Sequence, residues 1–595
     1  MKIFNTVIFL MFSVLLMSCN PSGKQDTKGA ESPSDSYSEW VAGNSEAAQK
    51  IDRYLSAMED QGFSGAIVVK DGENTILRKG YGYANRETRK PYTPETIQTN
   101  GSITKQFTGA AILLLESRGE LSVDDKISDY LEPLSEEMQG ITLHQLLTHS
   151  SGMPGGIGAD DEPVAAEAYL ERLRAESLQF EPGLGYAYSN TGYSLLGMIV
   201  EKVTGQSYES FLRKELLLPS GMENTGYVLP DWDLNQMAIG YRNGERWGKV
   251  YQRGWIEDGP NWHLRANGGL HTSVGDMAEW LKTVKGRGVL DEDVAKRWTT
   301  GYVDENNGYS YYGYGWVEYD HNRWGKVITH GGSNRIFEAD FVWLPEREFF
   351  FYIQGNSSMV PAISLGGSIL NAAFDSSFVM PPLVEADGDA DPATAQMRSG
   401  TYVQGDGKLE LTADDTRLVA KITGQSLFDQ MFGHSNQQKT RFAELNARTR
   451  MAMDRLQNGH ADALSGMLHQ DSDAVEATAP FLRRINQIGK LDSLHVIGTF
   501  ENEAGSRFAR SGPWTTFVYA EFENWNQYWN LVWNKDETYV ENLQGPWPSF
   551  TLIPAGKNSY AGVREAGGRR TVHLGFKNDC LKIGEEKACK ENNIR

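Results

Sequence analysis

The length of the chain restricts its fold more than any other feature, because 595 residues are too many for a single hydrophobic core. We therefore expect several domains, about two to four. A segment rich in Pro, Asp and Gly at residues 381–396 is typical of a linker. It separates a region at 46–380 from a region at 397–595. A second linker, rich in Ser, Gly and Pro, is predicted at 19–45.

Residues 1–18 have the pattern of an export signal, with a positive charge at Lys2 and an almost continuous apolar run at 8–17. This run is shorter than the ~20 residues that span a bilayer. It ends in Leu-Met-Ser-Cys at 16–19, which resembles a bacterial lipobox, where the peptide is cleaved before a lipidated cysteine. We therefore expect an exported bacterial lipoprotein, anchored through Cys19 and facing the periplasm or the cell surface. The alternative is an ordinary signal peptide with an incidental cysteine.

The chain has 3 cysteines, at Cys19, Cys580 and Cys589. If Cys19 carries the lipid, the other two form an even pair in an oxidising compartment. A small disulfide loop is then predicted between Cys580 and Cys589, and two free buried thiols are the alternative. A structural zinc site needs more ligands than this C-terminus offers.

The net charge of −21 argues against a nucleic-acid partner, because phosphates are bound by clustered Lys and Arg. It also disfavours a basic surface that docks on anionic lipids. The chain contains neither a phosphate-binding glycine loop nor a His-Glu-x-x-His zinc motif, so we expect no cofactor and no metal. The expected partners are a small substrate and, through the lipid anchor alone, a membrane. The sequence leaves the oligomeric state open.

The region 46–380 is predicted to have an α+β fold, with strands at both ends and helices between them. A β-rich run at 63–69, a Lys-Asp-Gly turn and a second strand at 75–78 predict a hairpin. Apolar residues repeat at helical spacing over 107–115, which predicts a helix that begins near Ser102 and buries one face. The sequence therefore predicts one antiparallel sheet beside a helical subdomain. The other predicted elements are helices at 142–149, 164–176, 191–204, 206–218, 274–286 and 362–374 and strands at 327–329, 337–344 and 348–354.

The region 397–595 is predicted to be a β-rich accessory region with an α+β insertion at about 437–545. Helices followed by strands in this insertion are similar to a cone-shaped ligand-binding fold. The strand-like part is rich in aromatic residues over 514–533. Such residues either form the core of a sheet or offer a flat surface to carbohydrate or lipid. The exposure of Trp525 and Trp529 distinguishes the two interpretations.

Ser102 and Lys105 combine a nucleophile with a base in one helical turn. A spacing of three places both side chains on one face of a helix. A lysine in a dry site loses its proton near neutral pH and then accepts the proton of the serine. The alternative is a capping serine beside an exposed lysine.

Two more segments contain groups suited to the same chemistry. Tyr188, in Tyr-Ser-Asn, is a candidate general base if a nearby lysine ammonium lowers the pKa of its phenol. Asn190 is placed to orient the substrate or to hold Lys105. His330 begins His-Gly-Gly-Ser after a predicted strand, and its glycines allow a backbone to approach the substrate closely. A histidine at this place is also a common packing residue.

The three segments, in this order, resemble the serine β-lactamase and penicillin-binding-protein superfamily. The resemblance is to its β-lactamase-related branch of D-aminopeptidases, D-Ala-D-Ala carboxypeptidases and esterases, and it covers about residues 46–378. Further stretches that look like family signatures lie at 141–152, 266–273 and 312–316. The resemblance implies that Ser102 forms the acyl-enzyme, that Lys105 activates it, that Tyr188 shuttles a proton to the leaving group and that Asn190 positions the substrate.

The resemblance also implies an oxyanion hole made by the backbone N–H groups of Ser102 and Ser333, beside His330, Gly331 and Gly332. His330 stands where β-lactamases usually carry a lysine, and a mostly neutral imidazole holds a substrate carboxylate weakly. We therefore expect a serine hydrolase that acts on a D-amino-acid peptide or an ester. The alternatives are a β-lactamase and a catalytically weak penicillin-recognising protein that binds cell-wall fragments.

Overall fold

The computed structural model describes residues 40–590 with some gaps. The gaps are residues 243–244, 379–389, 503–511, 523–526, 545–548, 565–569 and 584–585 and the single positions 133, 307, 335, 359, 415, 432, 471, 489, 557 and 579. The predicted signal peptide, Cys19 and the first linker up to residue 39 lie outside the described residues. Among the described residues, no helix has both the length and the apolar character of a membrane span.

A nine-stranded antiparallel sheet forms the centre of the N-terminal region. Its strands are β1 (Trp40–Val41), β2 (Gly65–Asp71), β3 (Asn74–Tyr81), β10 (Val303–Asp304), β11 (Ser310–Tyr312), β12 (Val317–His321), β13 (Gly325–Ser333), β14 (Glu338–Leu344) and β15 (Phe349–Gly355). Their spatial order is β1-β3-β2-β15-β14-β13-β12-β11-β10. The pairing of β15 with β2 joins the two ends of this region, which confirms the predicted antiparallel sheet.

Helices cover both faces of the sheet. They are α1 (Glu46–Asp60), α2 (Thr104–Ser117), α3 (Leu143–Leu147), α4 (Ala166–Leu173), α5 (Asn190–Thr204), α6 (Tyr208–Leu212), α7 (Val274–Val284), α8 (Glu292–Thr299) and α9 (Gly366–Phe374). Side chains alternate between the faces, so Phe351 and Ile353 pack with α1 and α9. Phe350 and Tyr352 instead join the larger core around α2 and α5. The α+β prediction is confirmed.

Three two-stranded sheets connect these layers. They pair β4 (Tyr83–Asn85) with β5 (Lys90–Pro91), β6 (Gln98–Thr99) with β9 (His271–Thr272), and β7 (Gly240–Arg242) with β8 (Glu245–Gly248). The pair of β6 and β9 is important for the site, because β6 ends three residues before Ser102. Its partner β9 lies within the predicted signature at 266–273.

Helix α2 is buried on all sides, whereas its apolar repeat predicted one buried face. Every residue from Thr104 to Leu115 is buried. The reason is its central place, since Phe107 stacks on Trp280 of α7 with ring centroids 4.3 Å apart. A lysine on the first turn of such a helix is therefore held away from water.

The C-terminal region is a closed β-barrel with an insertion. The barrel follows helix α10 (Pro392–Arg398) and consists of β16 (Gly400–Gln404), β17 (Gly407–Asp414), β18 (Arg417–Thr423), β23 (Ser549–Gly556), β24 (Ser559–Arg564), β25 (Arg570–Lys577), β26 (Cys580–Ile583) and β27 (Glu586–Lys590). A disulfide joins Cys580 and Cys589, which lie opposite each other on β26 and β27. The predicted linker at 381–396 overlaps α10, which begins where Asp391 accepts a hydrogen bond from the N–H of Thr394. The linker prediction extended too far because the run of Asp and Pro continues into this cap.

The insertion lies between β18 and β23. It consists of α11 (Gln425–Met431), α12 (Asn436–Gln457), α13 (Ala474–Ile488) and a sheet of β19 (Leu491–Glu501), β20 (Trp514–Phe522), β21 (Gln527–Trp533) and β22 (Tyr539–Gln544). Trp514, Trp529 and Trp533 are buried and pack with side chains of α12 and α13. The aromatic residues therefore form the core of a sheet in the described part of this segment. Trp525 lies outside the described residues.

A largely buried ion pair connects the barrel to the N-terminal region. Arg86 Nη1 lies 3.1 Å from Asp414 Oδ2, and the two side chains are only 11% and 13% exposed. The Arg86 guanidinium also lies 4.4 Å from the ring centroid of Tyr241. Arg417, on the next barrel strand, donates to the backbone oxygen of Glu59 at 2.9 Å. The two regions are thus joined by charged and hydrogen-bonded contacts.

We expect Asp414→Ala to destabilise the protein by about 3 kcal/mol, because it leaves the buried Arg86 without its carboxylate. The free energy of unfolding, measured by urea denaturation, tests this. Lys282→Ala is the control, since Lys282 and Glu279 form an exposed pair one helical turn apart. Its expected cost is below about 0.5 kcal/mol. If Asp414→Ala lowered the free energy of unfolding no more than this small amount, the Arg86–Asp414 pair would contribute little to stability.

Candidate active site

Ser102 lies on a 3₁₀ turn, Gly101–Ile103, that leads from β6 into α2. Gly101 has a φ of +55°, a left-handed conformation that glycine adopts easily. A Cβ on Gly101 would lie 2.6 Å from the backbone nitrogen of Ser333. The turn therefore depends on a glycine, which lets the backbone before Ser102 touch the end of β13.

The amine of Lys105 has three oxygen neighbours. Its Nζ lies 2.7 Å from Asn190 Oδ1, 2.7 Å from the backbone oxygen of Asn267 and 3.2 Å from Ser102 Oγ. Both amide oxygens can only accept hydrogen bonds. A neutral amine would donate its two protons to these oxygens and keep its lone pair for the Ser102 hydroxyl.

The surroundings of Lys105 favour this neutral form. The side chain is fully buried, and burial lowers the pKa of its amine well below the ordinary value. The negative charge of Asp160 offsets part of this effect. Lys105 is therefore suited to accept a proton from Ser102, as the sequence predicted, and the exposed-lysine alternative is wrong.

Two elements place the oxygens that hold Lys105. Asn190 begins α5, where Ser189 Oγ caps the helix by accepting from the N–H of Gly192 at 3.1 Å. Asn267 follows Ala266, a non-glycine residue with a φ of +67°. The side chain of Asn267 donates to Ser194 Oγ and to the backbone oxygen of His263, each at 2.9 Å. Sequence reasoning missed Asn267, whose only signal was its place in the signature at 266–273.

Tyr188 lies beside the amine, with its ring centroid 4.8 Å from Lys105 Nζ. Part of the residue reaches the protein surface, since 37% of its area is accessible. Nevertheless, the protein packed around the phenol raises its pKa, and hydrogen bonds with Ser102 and Tyr312 offset only part of the rise. The expected lowering of this pKa is therefore wrong. Lys105 tends to the neutral form itself and does not supply the positive charge that would stabilise a phenolate.

His330 is buried and hydrogen-bonded through both ring nitrogens. Its Nδ1 lies 2.7 Å from the backbone oxygen of Gly331, to which it must donate. Its Nε2 lies 2.8 Å from the Tyr312 hydroxyl and therefore accepts that proton. Burial is the main reason that the pKa of His330 falls to about 3. The imidazole is therefore neutral at pH 7 and keeps neither ring nitrogen free for a substrate carboxylate.

The backbone around Ser333 meets the backbone around Ser102. A Cβ on Gly332 would lie 1.8 Å from the Asn100 carbonyl oxygen and 3.2 Å from the Ser102 nitrogen. The nitrogens of Ser102 and Ser333 thus belong to one tight backbone junction, as an oxyanion hole made from both would require. The Ser333 hydroxyl itself donates to Glu338 Oε1 at 3.0 Å.

The structure brings together most of the side chains that were predicted to form the site. Ser102, Lys105, Tyr188, Asn190 and His330 converge, with Gly331, Gly332 and Ser333 along the adjacent strand end. Cys580 and Cys589 lie in the barrel, apart from this group. Within the described ranges, no cluster of three or more His, Cys, Asp or Glu residues is arranged to bind a metal ion.

The chain is similar in sequence to several known proteins. A family model described as beta-lactamase matches residues 51–367. Penicillin-binding protein 4* of Bacillus subtilis (strain 168) is 26% identical over 395 residues, which cover 62% of this chain and 85% of that protein. The putative penicillin-binding protein PbpX of the same strain is 34% identical over 195 residues, 33% of this chain and 48% of that protein. The chain thus spans about half the length of this second relative.

A solved structure is also similar to the chain. The octameric penicillin-binding protein homologue from Pyrococcus abyssi superposes with a TM-score of 0.48 and is 21% identical. The superposition covers 91% of this chain and 99% of that chain.

We expect Gly332→Ala to reduce the rate of acylation by at least about 100-fold, the usual effect of a damaged oxyanion hole. The added methyl group would meet the Asn100 carbonyl and separate the two backbone segments. Acylation is measured by labelling with a fluorophosphonate probe. Gly367→Ala is the control, because nothing lies within 4 Å of a Cβ at that helical position. A Gly332→Ala variant that is labelled at the rate of the unmodified protein would contradict the assignment.

Proposed function

The chain belongs to the beta-lactamase family, and we propose that it hydrolyses a D-amino-acid peptide bond or an ester through an acyl-enzyme on Ser102. The family match confirms the resemblance seen in the sequence motifs. The family and its penicillin-binding-protein relatives indicate a serine hydrolase type. One observation supports the proposed mechanism above all others, namely the buried Lys105 amine, whose two acceptors leave its lone pair for Ser102.

Acylation begins when Lys105 takes the proton from Ser102 Oγ. The oxygen attacks the carbonyl carbon of the substrate, and the carbonyl oxygen becomes an oxyanion. The backbone N–H groups of Ser102 and Ser333 stabilise this charge. Asn190 and Asn267 keep the amine in place while it gains the proton. In this role Lys105 is the general base.

The bond to the leaving group breaks in the second half of acylation. Its nitrogen or oxygen receives a proton from Tyr188, which is suited to donate because its raised pKa keeps the phenol protonated. The ammonium of Lys105 restores the proton of Tyr188. Water then attacks the ester carbon of the acyl-enzyme by the reverse sequence, giving up its proton to the same pair of residues. Ser102 is regenerated and the acid product leaves.

Charges around the cleft support an ester, or a peptide without a free C-terminal carboxylate, as the substrate. His330 is neutral, and both of its ring nitrogens are already hydrogen-bonded. Glu338 lies beside Ser333, and Glu305 accepts hydrogen bonds from Tyr186 and Ser310. A substrate carboxylate bound beside Ser333 would meet Glu338, and one bound beside Tyr188 would be repelled by Glu305, whose charge acts on that phenol. Neutral substrates avoid this repulsion.

We propose that the hydrolase acts outside the cytoplasm, attached to a membrane by a lipid on Cys19. This proposal is supported by the sequence of residues 1–19 alone.

The nucleophile is tested by labelling with a fluorophosphonate probe followed by mass spectrometry. We expect Ser102 to carry the label and Ser102→Ala to lose it completely. Ser117→Ala, at the other end of the same helix, is the matched control and should be labelled normally. Undiminished labelling of Ser102→Ala would refute the assigned nucleophile. A labelled protein that turns over no ester or peptide would favour the catalytically weak, penicillin-recognising alternative.

The substrate class is tested with an acyl-D-Ala-D-Ala peptide and its C-terminal amide. We expect kcat/KM to be about tenfold higher for the amide, a difference of ~1.4 kcal/mol. Glu338→Gln should reduce this difference in kcat/KM between the two peptides, because it removes the negative charge but keeps an acceptor for Ser333. Glu292→Gln, on the exposed first turn of α8, should leave the difference in kcat/KM unchanged. Faster hydrolysis of the peptide with a free C-terminal carboxylate than of its amide would contradict the proposed preference.

A further inference from the structure

Tyr188 lies in a segment that has no regular structure of its own. Residues 185–189 form neither helix nor strand, and the neighbouring Leu184 is 76% exposed. A phenol that must deliver a proton to one atom needs its position fixed to well within an ångström. The segment alone cannot provide this precision, so contacts from elsewhere in the chain must hold Tyr188.

His149 supplies such contacts on both sides of Tyr188. Its backbone oxygen accepts from the N–H of Ala187 at 3.0 Å. Its ring Nδ1 accepts from the N–H of Ser189 at 3.1 Å. The residues immediately before and after Tyr188 are therefore both bonded to one residue that follows α3, 40 positions away in the chain.

The ring of His149 also fixes the phenol itself. Its centroid lies 4.3 Å from that of Tyr188 and 4.3 Å from that of Tyr312. Tyr312 is the residue that donates to His330 and forms a hydrogen bond with Tyr188. His149 thus packs against both of these hydrogen-bonded phenols, which restricts where the Tyr188 hydroxyl lies relative to Ser102.

Two features of His149 are costly for a residue that only fills space. Its φ is +59°, a conformation that most non-glycine residues avoid. Its Nε2 is fully buried and has no hydrogen-bond partner in the described part of the chain. Because Nδ1 accepts from Ser189, this Nε2 carries the ring proton, and an orphaned buried donor costs about 1 to 3 kcal/mol. An apolar residue would avoid that cost but would lose the acceptor for Ser189.

We propose that His149 is a positioning residue that holds Tyr188 where its hydroxyl can protonate the leaving group. The inference rests on the proposed function, since it assigns His149 to the acid step of that reaction. A structural residue and a residue that positions the acid differ in one measurable way, the dependence of the reaction on the leaving group.

The experiment compares kcat/KM for a p-nitrophenyl ester and an alkyl ester with the same acyl group. The nitrophenolate leaves as a stable anion, whereas the alkoxide needs a proton. For His149→Ala we expect a loss of about 10- to 100-fold on the alkyl ester, part of the 10²- to 10⁴-fold that a general acid contributes. The loss on the nitrophenyl ester should stay below about threefold, since acid catalysis contributes little there. Tyr188→Phe should show the same pattern more strongly.

His149→Asn is the rescue variant. Asparagine tolerates left-handed backbone better than most residues, and its Oδ1 is an acceptor for the N–H of Ser189. It should therefore recover most of the alkyl-ester activity. Adding His149→Ala to Tyr188→Phe should cost little more, because both changes remove the same step. His144→Ala is the control, as that ring packs on Tyr302 and Tyr314 instead.

An equal loss on both esters, or additive losses in the double variant, would overturn the positioning role and leave His149 as a packing residue. Failure of the proposed function would look different. In that case the unmodified protein would hydrolyse neither ester, or Ser102→Ala would retain full turnover of both.

Discussion

Two oxygens that can only accept hydrogen bonds, from Asn190 and Asn267, hold the amine of the fully buried Lys105. The rest of the site follows from this arrangement. Burial makes an ammonium costly at this place and so favours the neutral amine, whose two protons go to these oxygens and whose lone pair is directed to Ser102. The same burial explains Tyr188. It raises the pKa of the phenol, which therefore keeps its proton and is available as an acid. Burial in one place thus lowers the pKa of Lys105, which acts as the base, and raises the pKa of Tyr188, which acts as the acid.

The fold provides that pocket by joining parts of the chain that are distant in sequence. Helix α2 lies between the central sheet and the other helices, so the first turn that contains Lys105 is shielded from solvent. The end of β13 meets the turn before Ser102 through glycines at 101 and 332, whose Cβ atoms would collide with the opposite backbone. Left-handed, non-glycine residues support the site at Ala266 and His149. Such conformations are unfavourable for the chain, and they occur here next to groups that need an exact position.

The sequence predicted those parts of the fold and site that depend on residues close together in the chain, and it failed for those that depend on distant residues. The spacing of Ser102 and Lys105 is local, and so are the hairpin and helix patterns, so these were predicted. The pKa of Tyr188 was predicted in the wrong direction, because a neighbouring lysine was taken as a cation without knowledge of its burial. Asn267 was missed because it binds Lys105 through its backbone oxygen, and every residue type has that oxygen. The hydrogen bonds from Ala187 and Ser189 to His149 likewise join residues about 40 positions apart, and a local sequence pattern cannot predict such contacts.

The C-terminal region contacts strand β7, which in turn packs on the turn behind Ser333. The guanidinium of Arg242, at the end of β7, lies 5.9 Å from the ring centroid of Tyr528 in the insertion. On the same strand, a Cβ on Gly240 would lie within 3 Å of Ile336 and Phe337 side-chain atoms. These two residues occupy the turn just after Ser333. The Arg86–Asp414 pair adds a second connection, since Arg86 also packs on Tyr241 of β7. Strand β7 therefore stands between the C-terminal region and the turn behind Ser333, so packed side chains connect the insertion with the backbone proposed to stabilise the oxyanion.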